Sequence, residues 1–190
     1  MTFKETELLK VKHNLNFPQA DGLNWYIGLY LGLPRVFMSV VRKKLIQHSA
    51  VESILIPLYT VNDPINGRQI HISITDKYFF VGTKTEIYHE EDIGIQSHTN
   101  TVMLLRNGED YKPSKITPAA IRNVIREHLH KRKTTIQPDL TVCITAGTFR
   151  DWYGVVEGTS DDREHTQIRF ASDEYDCVTA MPTILCKVTT

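Results

Sequence analysis

The sequence predicts an α+β domain, an antiparallel sheet flanked by helices, joined by a short linker to a small all-β unit of five strands closed as a barrel. Three observations predict it. Between residues 23 and 130, aromatic and aliphatic runs alternate with two stretches whose apolar residues recur at helical spacing. Residues 131–138, which open on Lys131-Arg132-Lys133 and close on Pro138, are polar and basic with no apolar period. Beyond Pro138 the strand signals become short and closely spaced, with turn residues between them.

The elements follow in order. Residues 1–22 carry Lys4, Glu5, Glu7, Lys10 and Lys12 with few apolar anchors and are expected to form an arm or a short helix. The run 23–31 is a buried strand ended by Gly32 and Pro34. Pro34 suits the first turn of a helix in which Val36, Phe37, Val40, Val41, Leu45 and Ile46 make one face and Arg42, Lys43 and Lys44 the other, ending near His48-Ser49. A strand over 51–57 leads through Asn62-Asp63-Pro64 and Asn66-Gly67 into an alternating strand over 69–74, which predicts a hairpin. Residues 77–82 and 101–105 read as two further strands, the first the most aromatic in the chain. Thr117 then caps a helix with Pro118 at its first position, and Ile121, Val124, Ile125 and Leu129 form a stripe that runs to about His130.

The last third holds strand signals at 140–145, 152–157, 167–170, 177–180 and 184–188. Ala146-Gly147, the polar run 158–162 and Ser172-Asp173 separate them as turns. The resulting division is an arm over 1–22, an α+β domain over 23–130, a linker over 131–138 and the five-stranded unit over 139–190.

Size and composition agree with two small domains. With 190 residues, 41% hydrophobic and 23% charged, the chain has enough apolar material for two modest cores. Its 22 basic and 22 acidic side chains cancel, so binding to nucleic acid by bulk charge is excluded and any such contact must be local. Cys143, Cys177 and Cys186 have no zinc-type spacing and are expected to be free, buried thiols. No apolar run approaches the ~20 residues of a membrane span. A monomer in the cytoplasm, without membrane or cofactor, is the expectation.

On these ordered features the sequence resembles the NusG family of transcription factors over nearly its whole length. Trp25-Tyr26 stands where the family's N-terminal NGN domain opens on a Trp-Tyr strand; residues 51–57, Asn66-Gly67-Arg68, the aromatic strand Tyr78-Phe79-Phe80-Val81 and Ile116-Thr117-Pro118 follow in the family's order. In the last third Gly147-Thr148-Phe149 and Tyr153-Gly154-Val155-Val156-Glu157 look like a KOW hairpin. That hairpin turns tightly, so glycine at 147 and 154 is expected to avoid a Cβ clash and to permit positive φ, with Phe149 packed inward. The chain departs from the family at Thr75-Asp76-Lys77, where Phe-Pro-Gly is usual, and at Ser97-His98-Thr99-Asn100, which lacks a Gly-rich ending. Those departures suggest a divergent, operon-specific or virus-encoded member.

The resemblance implies a non-enzymatic elongation and antitermination factor that binds a multisubunit RNA polymerase. Trp25, Tyr30, Tyr78 and Phe80 are the candidates for the docking face, with core packing as the competing reading. Ser97, His98, Thr99 and Asn100 are candidates for a loop meeting the other side of the polymerase cleft. Arg122, Arg126, Lys131, Arg132 and Lys133 are candidates for upstream DNA or nascent RNA, against a merely solvated face. Phe149, Arg150, Trp152 and Tyr153 are the candidates for recruiting a termination or ribosomal protein, with barrel packing as the competing reading for Trp152. A KOW barrel that binds RNA or the ribosome without polymerase is the rival reading.

An enzyme finds little support in the spacings. His128 and His130 face apart on a helix, His89-Glu90-Glu91 has no second histidine four residues on, and no phosphate loop or serine elbow occurs. No metal site is expected.

Overall fold

The structure is a computed structural model that describes residues 22–33, 36–45, 47–95, 101–108, 111–172 and 174–189, the side chains of Met38 and Arg42 excepted. In chain order its strands are β1 (Asn24–Tyr30), β2 (Val51–Leu55), β3 (Leu58–Asn62), β4 (Gln69–Ser73), β5 (Tyr78–Thr83), β6 (Val102–Leu104), β7 (Lys115–Ile116), β8 (Thr141–Ile144), β9 (Tyr153–Thr159), β10 (His165–Ala171), β11 (Asp176–Pro182) and β12 (Cys186–Val188). The helices are α1 (Phe37–Leu45) and α2 (Pro118–Thr135), so the described residues are mostly β with few helices. The chain divides into two compact units that are not consecutive in sequence. The first comprises Met1–Leu58 with Ser73–Ile125, the second Tyr59–Ile72 with Arg126–Thr190.

In the first unit an antiparallel sheet runs in the order β2-β5-β1-β6, and β7 also pairs with β1. Phe37, Val41 and Leu45 recur every four residues, which puts them on one side of α1, and all three are buried. They belong to one core with Tyr26 and Tyr30 of β1 and Phe79 and Val81 of β5. Tyr30 stacks on Phe37 with ring centroids 5.3 Å apart, and Phe79 lies 6.3 Å from Phe37. Phe79 also lies over Gly28, its register partner on β1: a Cβ there would come within 2.0 Å of the ring. The aromatic ring fills the space that the missing side chain leaves.

Two buried polar side chains of this unit, Tyr26 and Glu90, are tied to the backbone. The hydroxyl of Tyr26 accepts the Ile87 N–H at 3.0 Å. The carboxylate of Glu90, also buried, accepts the Leu104 N–H at 2.6 Å and an Arg106 N–H at 2.9 Å. Each bond removes a desolvation penalty of about 1–3 kcal/mol.

Helix α2 begins as the sequence predicts: the Thr117 hydroxyl accepts the Ala120 N–H at 3.2 Å, and Pro118 is the first helical residue. It does not stop near His130 but continues to Thr135, through Lys131, Arg132 and Lys133, residues read from the sequence as linker. Polar composition does not end a helix, because Lys and Arg are good helix formers and cations in the last turn complement the helix dipole.

In the second unit β3 and β4 form a two-stranded hairpin, and the five C-terminal strands form one antiparallel sheet in the order β11-β10-β9-β8-β12. Strand β10 alternates strictly, with Thr166, Ile168 and Phe170 buried and their neighbours exposed. Val142, Ile144, Val156, Met181, Ile184 and Leu185 are buried as well. A register shift between Gln167 and Ile168 marks a bulge.

Truncating the ring that spans the first unit's core tests this packing. Phe79→Ala is expected to destabilise the first unit by about 3–5 kcal/mol, read as a shifted denaturant midpoint for amide exchange of β1 and β5.

Candidate functional site

The aromatic residues of β1 and β5 do not form an outer face. Trp25, Tyr30 and Phe80 are buried, Phe80 completely, which corrects their assignment to an exposed docking surface. The expectation rested on one face of the strand being free, but β5 lies between β2 and β1, and Phe79, Phe80 and Val81 in succession are all at 0% exposure. Both faces of this strand are covered. Tyr78 alone of the set is half-buried, at the start of β5. At the same end of the sheet, where Tyr30 donates its N–H to the Lys77 carbonyl, the chain leaves β1 with Leu31, Leu33 and Val36 exposed. The sequence places Leu31 at the end of a buried strand and Val36 on the apolar face of the following helix, whereas both are exposed, because α1 begins only at Phe37. Ser97, His98, Thr99 and Asn100 lie outside the described residues.

Among the basic candidates, Arg126 and Lys131 are exposed, and Arg122 and Arg132 are half-buried. Lys133 is not available for a phosphate. Its ammonium pairs with Glu164 and lies 5.3 Å from the centroid of the Tyr59 ring, while the Tyr59 hydroxyl donates to the same carboxylate at 2.7 Å. Burial, and then the bond to Glu164, hold the Tyr59 hydroxyl well above its ordinary pKa.

The loop between β8 and β9 gathers the C-terminal candidates. Gly147 has φ +88°, and a Cβ there would lie 2.7 Å from Ile70 Cδ1 and 2.8 Å from an Asp63 oxygen. At Gly154 a Cβ would come within 2.7 Å of the Arg169 carbonyl oxygen. The close approach holds at both glycines, whereas only Gly147 of the two has positive φ. Phe149 is half-buried and stacks on the buried Phe170 with centroids 5.1 Å apart and planes 6° from parallel. Trp152 meets both rings edge-on and stacks on Tyr175 at 5.4 Å. Trp152 stays 40% exposed and Tyr153 63% exposed, so the loop presents aromatic surface outward. Arg150 is exposed and pairs with Asp151 at 3.6 Å. Tyr175 was not anticipated, because its neighbours Ser172 and Asp173 read only as a turn. Asp151, Glu174 and Asp176 are the sequence neighbours of Trp152 and Tyr175, and Asp176 lies 3.8 Å from Arg169.

The β3–β4 turn meets this loop through a carboxylate. Asp63, 3% exposed, accepts the N–H groups of Ile65 at 2.9 Å and Asn66 at 3.3 Å within its own turn. It also accepts the Thr148 N–H at 2.6 Å and the Thr148 hydroxyl at 2.9 and 3.0 Å. Asn66 donates to the same hydroxyl at 3.0 Å. The sequence marked Asp63 as a turn residue and offered no signal for its long-range partner.

No family model matches the sequence, and no curated protein matches it. Solved structures similar to the chain include the following two. One describes domain interaction in Thermotoga maritima NusG: it is 18% identical, with 88% of this chain and 98% of that one covered, at a TM-score of 0.34. The other is a chain of the MjSpt4:Spt5 complex, 14% identical, covering 88% of this chain and 97% of that one at a TM-score of 0.28. Likenesses at these values do not decide what this chain does.

Among the described residues no group of three or more His, Cys, Asp or Glu is placed to hold a metal ion. Nor is any helix among them long and apolar enough to cross a membrane. The three cysteines differ: Cys186 is buried, its thiol pushed up to about 12 by desolvation, Cys143 is half-buried, and Cys177 is exposed on β11. The expectation of buried thiols holds only at Cys186; β11 is an edge strand, and its first three residues, Asp176, Cys177 and Val178, are all exposed.

Burial alone would raise the Asp63 carboxyl, but the donors from Ile65, Thr148 and Asn66 outweigh it and hold the group below the usual carboxylate range. A carboxylate with a depressed folded-state pKa adds stability that is present above its unfolded pKa of ~3.9 and is lost as pH falls through the folded value. The stability gap between the native chain and Asp63→Asn is therefore expected to be constant from about pH 5 to 8 and to shrink below about pH 4, as read by urea unfolding of the second unit.

Proposed function

We propose that the chain is an RNA polymerase-binding transcription elongation factor that suppresses pausing or termination. In this reading the first unit is an NGN-like domain that docks on the polymerase. The C-terminal strands form a KOW barrel that recruits a protein partner. The observation that carries the proposal is the half-exposed aromatic stack of Trp152 on Tyr175, set at the end of a β8–β9 loop that Gly147 and Gly154 allow to close. Solvent-exposed Trp and Tyr on a rigid base concentrate binding energy at small cost in conformational entropy. The ordered resemblance of both halves of the sequence to the NusG family supports the same reading.

The paired charges beside the stack favour a protein over RNA. Arg150 has Asp151 as a partner and Arg169 has Glu157 and Asp176, so these cations are already engaged by carboxylates and less available to phosphates. For the polymerase contact, Tyr78 is retained from the aromatic set and is joined by Leu31, Leu33 and Val36, an exposed apolar group suited to the centre of a small interface.

Three measurements test this. Immobilised native chain is expected to retain a multisubunit RNA polymerase, and Leu31→Ser with Leu33→Ser to lose at least ten-fold in affinity; equal retention by both sinks the docking surface. In a transcription assay the native chain should raise readthrough at pauses or terminators, and unchanged transcripts at saturating protein would count against the factor. Trp152→Ala with Tyr175→Ala is expected to abolish capture of a protein partner by the second unit while leaving polymerase retention intact. Capture of RNA in place of protein would favour the ribosome-associated alternative.

A further inference from the structure

We infer that the β3–β4 hairpin is the support of the proposed partner loop, with Asp63 as the positioning residue that fixes the segment 147–152. The inference rests on the reading that the Phe149–Tyr153 surface binds a partner, and it names what holds that surface in shape. The loop has bonds of its own, from Arg150 N–H to the Gly147 carbonyl, Trp152 N–H to the Phe149 carbonyl and Asp151 N–H to the Ile144 carbonyl. The Thr148 N–H and hydroxyl, by contrast, turn away from the loop and are taken up by Asp63.

Three features show that turn and loop are built against each other. Gly147 leaves no room for a side chain, because Ile70 of β4 and Asp63 occupy the space. The Asp63 carboxylate has both oxygens engaged, one shared between its own turn and Thr148 and the other given to Thr148 alone. The hairpin is pinned a second time at its base, where Tyr59 donates to Glu164 beside Lys133. A turn that only reversed the chain would need the bonds to Ile65 and Asn66 and nothing more. The bonds to Thr148 hold the residue immediately before Phe149, the ring on which Trp152 rests. Asp63 touches no partner in this scheme and acts through Thr148.

The test uses the full chain carrying Trp25→Phe, so that Trp152 is the only tryptophan that emits. Asp63→Asn keeps an oxygen for the turn but aims an amide NH2 at the Thr148 N–H, donor against donor, and so breaks the latch selectively. Amide exchange at 148–152 is expected to accelerate at least ten-fold, the Trp152 emission to shift, and partner capture to weaken, with β1 and β5 exchange unchanged. Exchange and emission equal to those of the native chain would overturn the inference. Should Asp63→Asn unfold the second unit, Thr148→Ala decides: it deletes the hydroxyl bonds and keeps the amide, and unchanged exchange across 149–152 also overturns the inference. A broken latch in a chain whose native form captures no protein sinks the partner reading alone; intact exchange with partner capture sinks the latch alone.

Discussion

A carboxylate removed from water must be solvated by the protein, and at Asp63 three backbone N–H groups and a hydroxyl do so. That requirement ties two distant stretches of chain into one unit. The donors from Ile65 and Asn66 shape the β3–β4 turn, and those from Thr148 fix the start of the loop that carries Phe149 and Trp152. Glycine at 147 is the steric counterpart of the same contact, since only a residue without Cβ leaves the oxygen its place. Removing the Thr148 donors would leave one oxygen of the buried carboxylate unpaired, a loss of about 1–3 kcal/mol, so the arrangement is held more by the cost of leaving it than by the strength of any bond.

The first unit is organised differently, by apolar packing on both faces of its sheet. Phe79 and Val81 join the core that α1 covers, and Phe80 is buried as well. A central strand of this kind has no side left for a partner. Binding surface is then found where chain leaves the sheet, and at the end of β1 it takes the form of exposed Leu31, Leu33 and Val36.

The elements were legible in the sequence where the signal is local. Most strands, the Thr117-Pro118 helix start and the glycines at 147 and 154 follow from periodicity or from backbone sterics within a few residues, whereas β3 was not separated from the run 51–57, so the hairpin partner of β4 was misassigned. The end of α2 was misplaced because a basic run reads as a linker although its residues favour helix. The docking aromatics were misplaced for a further reason: the period of a strand says that neighbours point oppositely, not whether either face is open. Long-range pairing was invisible. Nothing in Asn62-Asp63-Pro64 distinguishes a turn aspartate from one that reaches Thr148, and nothing in residues 59–72 assigns them to the C-terminal unit.

That assignment has a bearing on how the chain acquires its structure. Thr148 follows Asp63 by 85 residues and Glu164 follows Tyr59 by 105. During synthesis at about 5–20 residues per second, the hairpin therefore waits on the order of 5–20 s outside the ribosome before its partners exist. The second unit has a high contact order and should close late and slowly, whereas most of the first unit's strands are complete well before it. An early-emerging strand pair with exposed Ile65 at its tip is the segment of this protein most in need of protection until translation is finished.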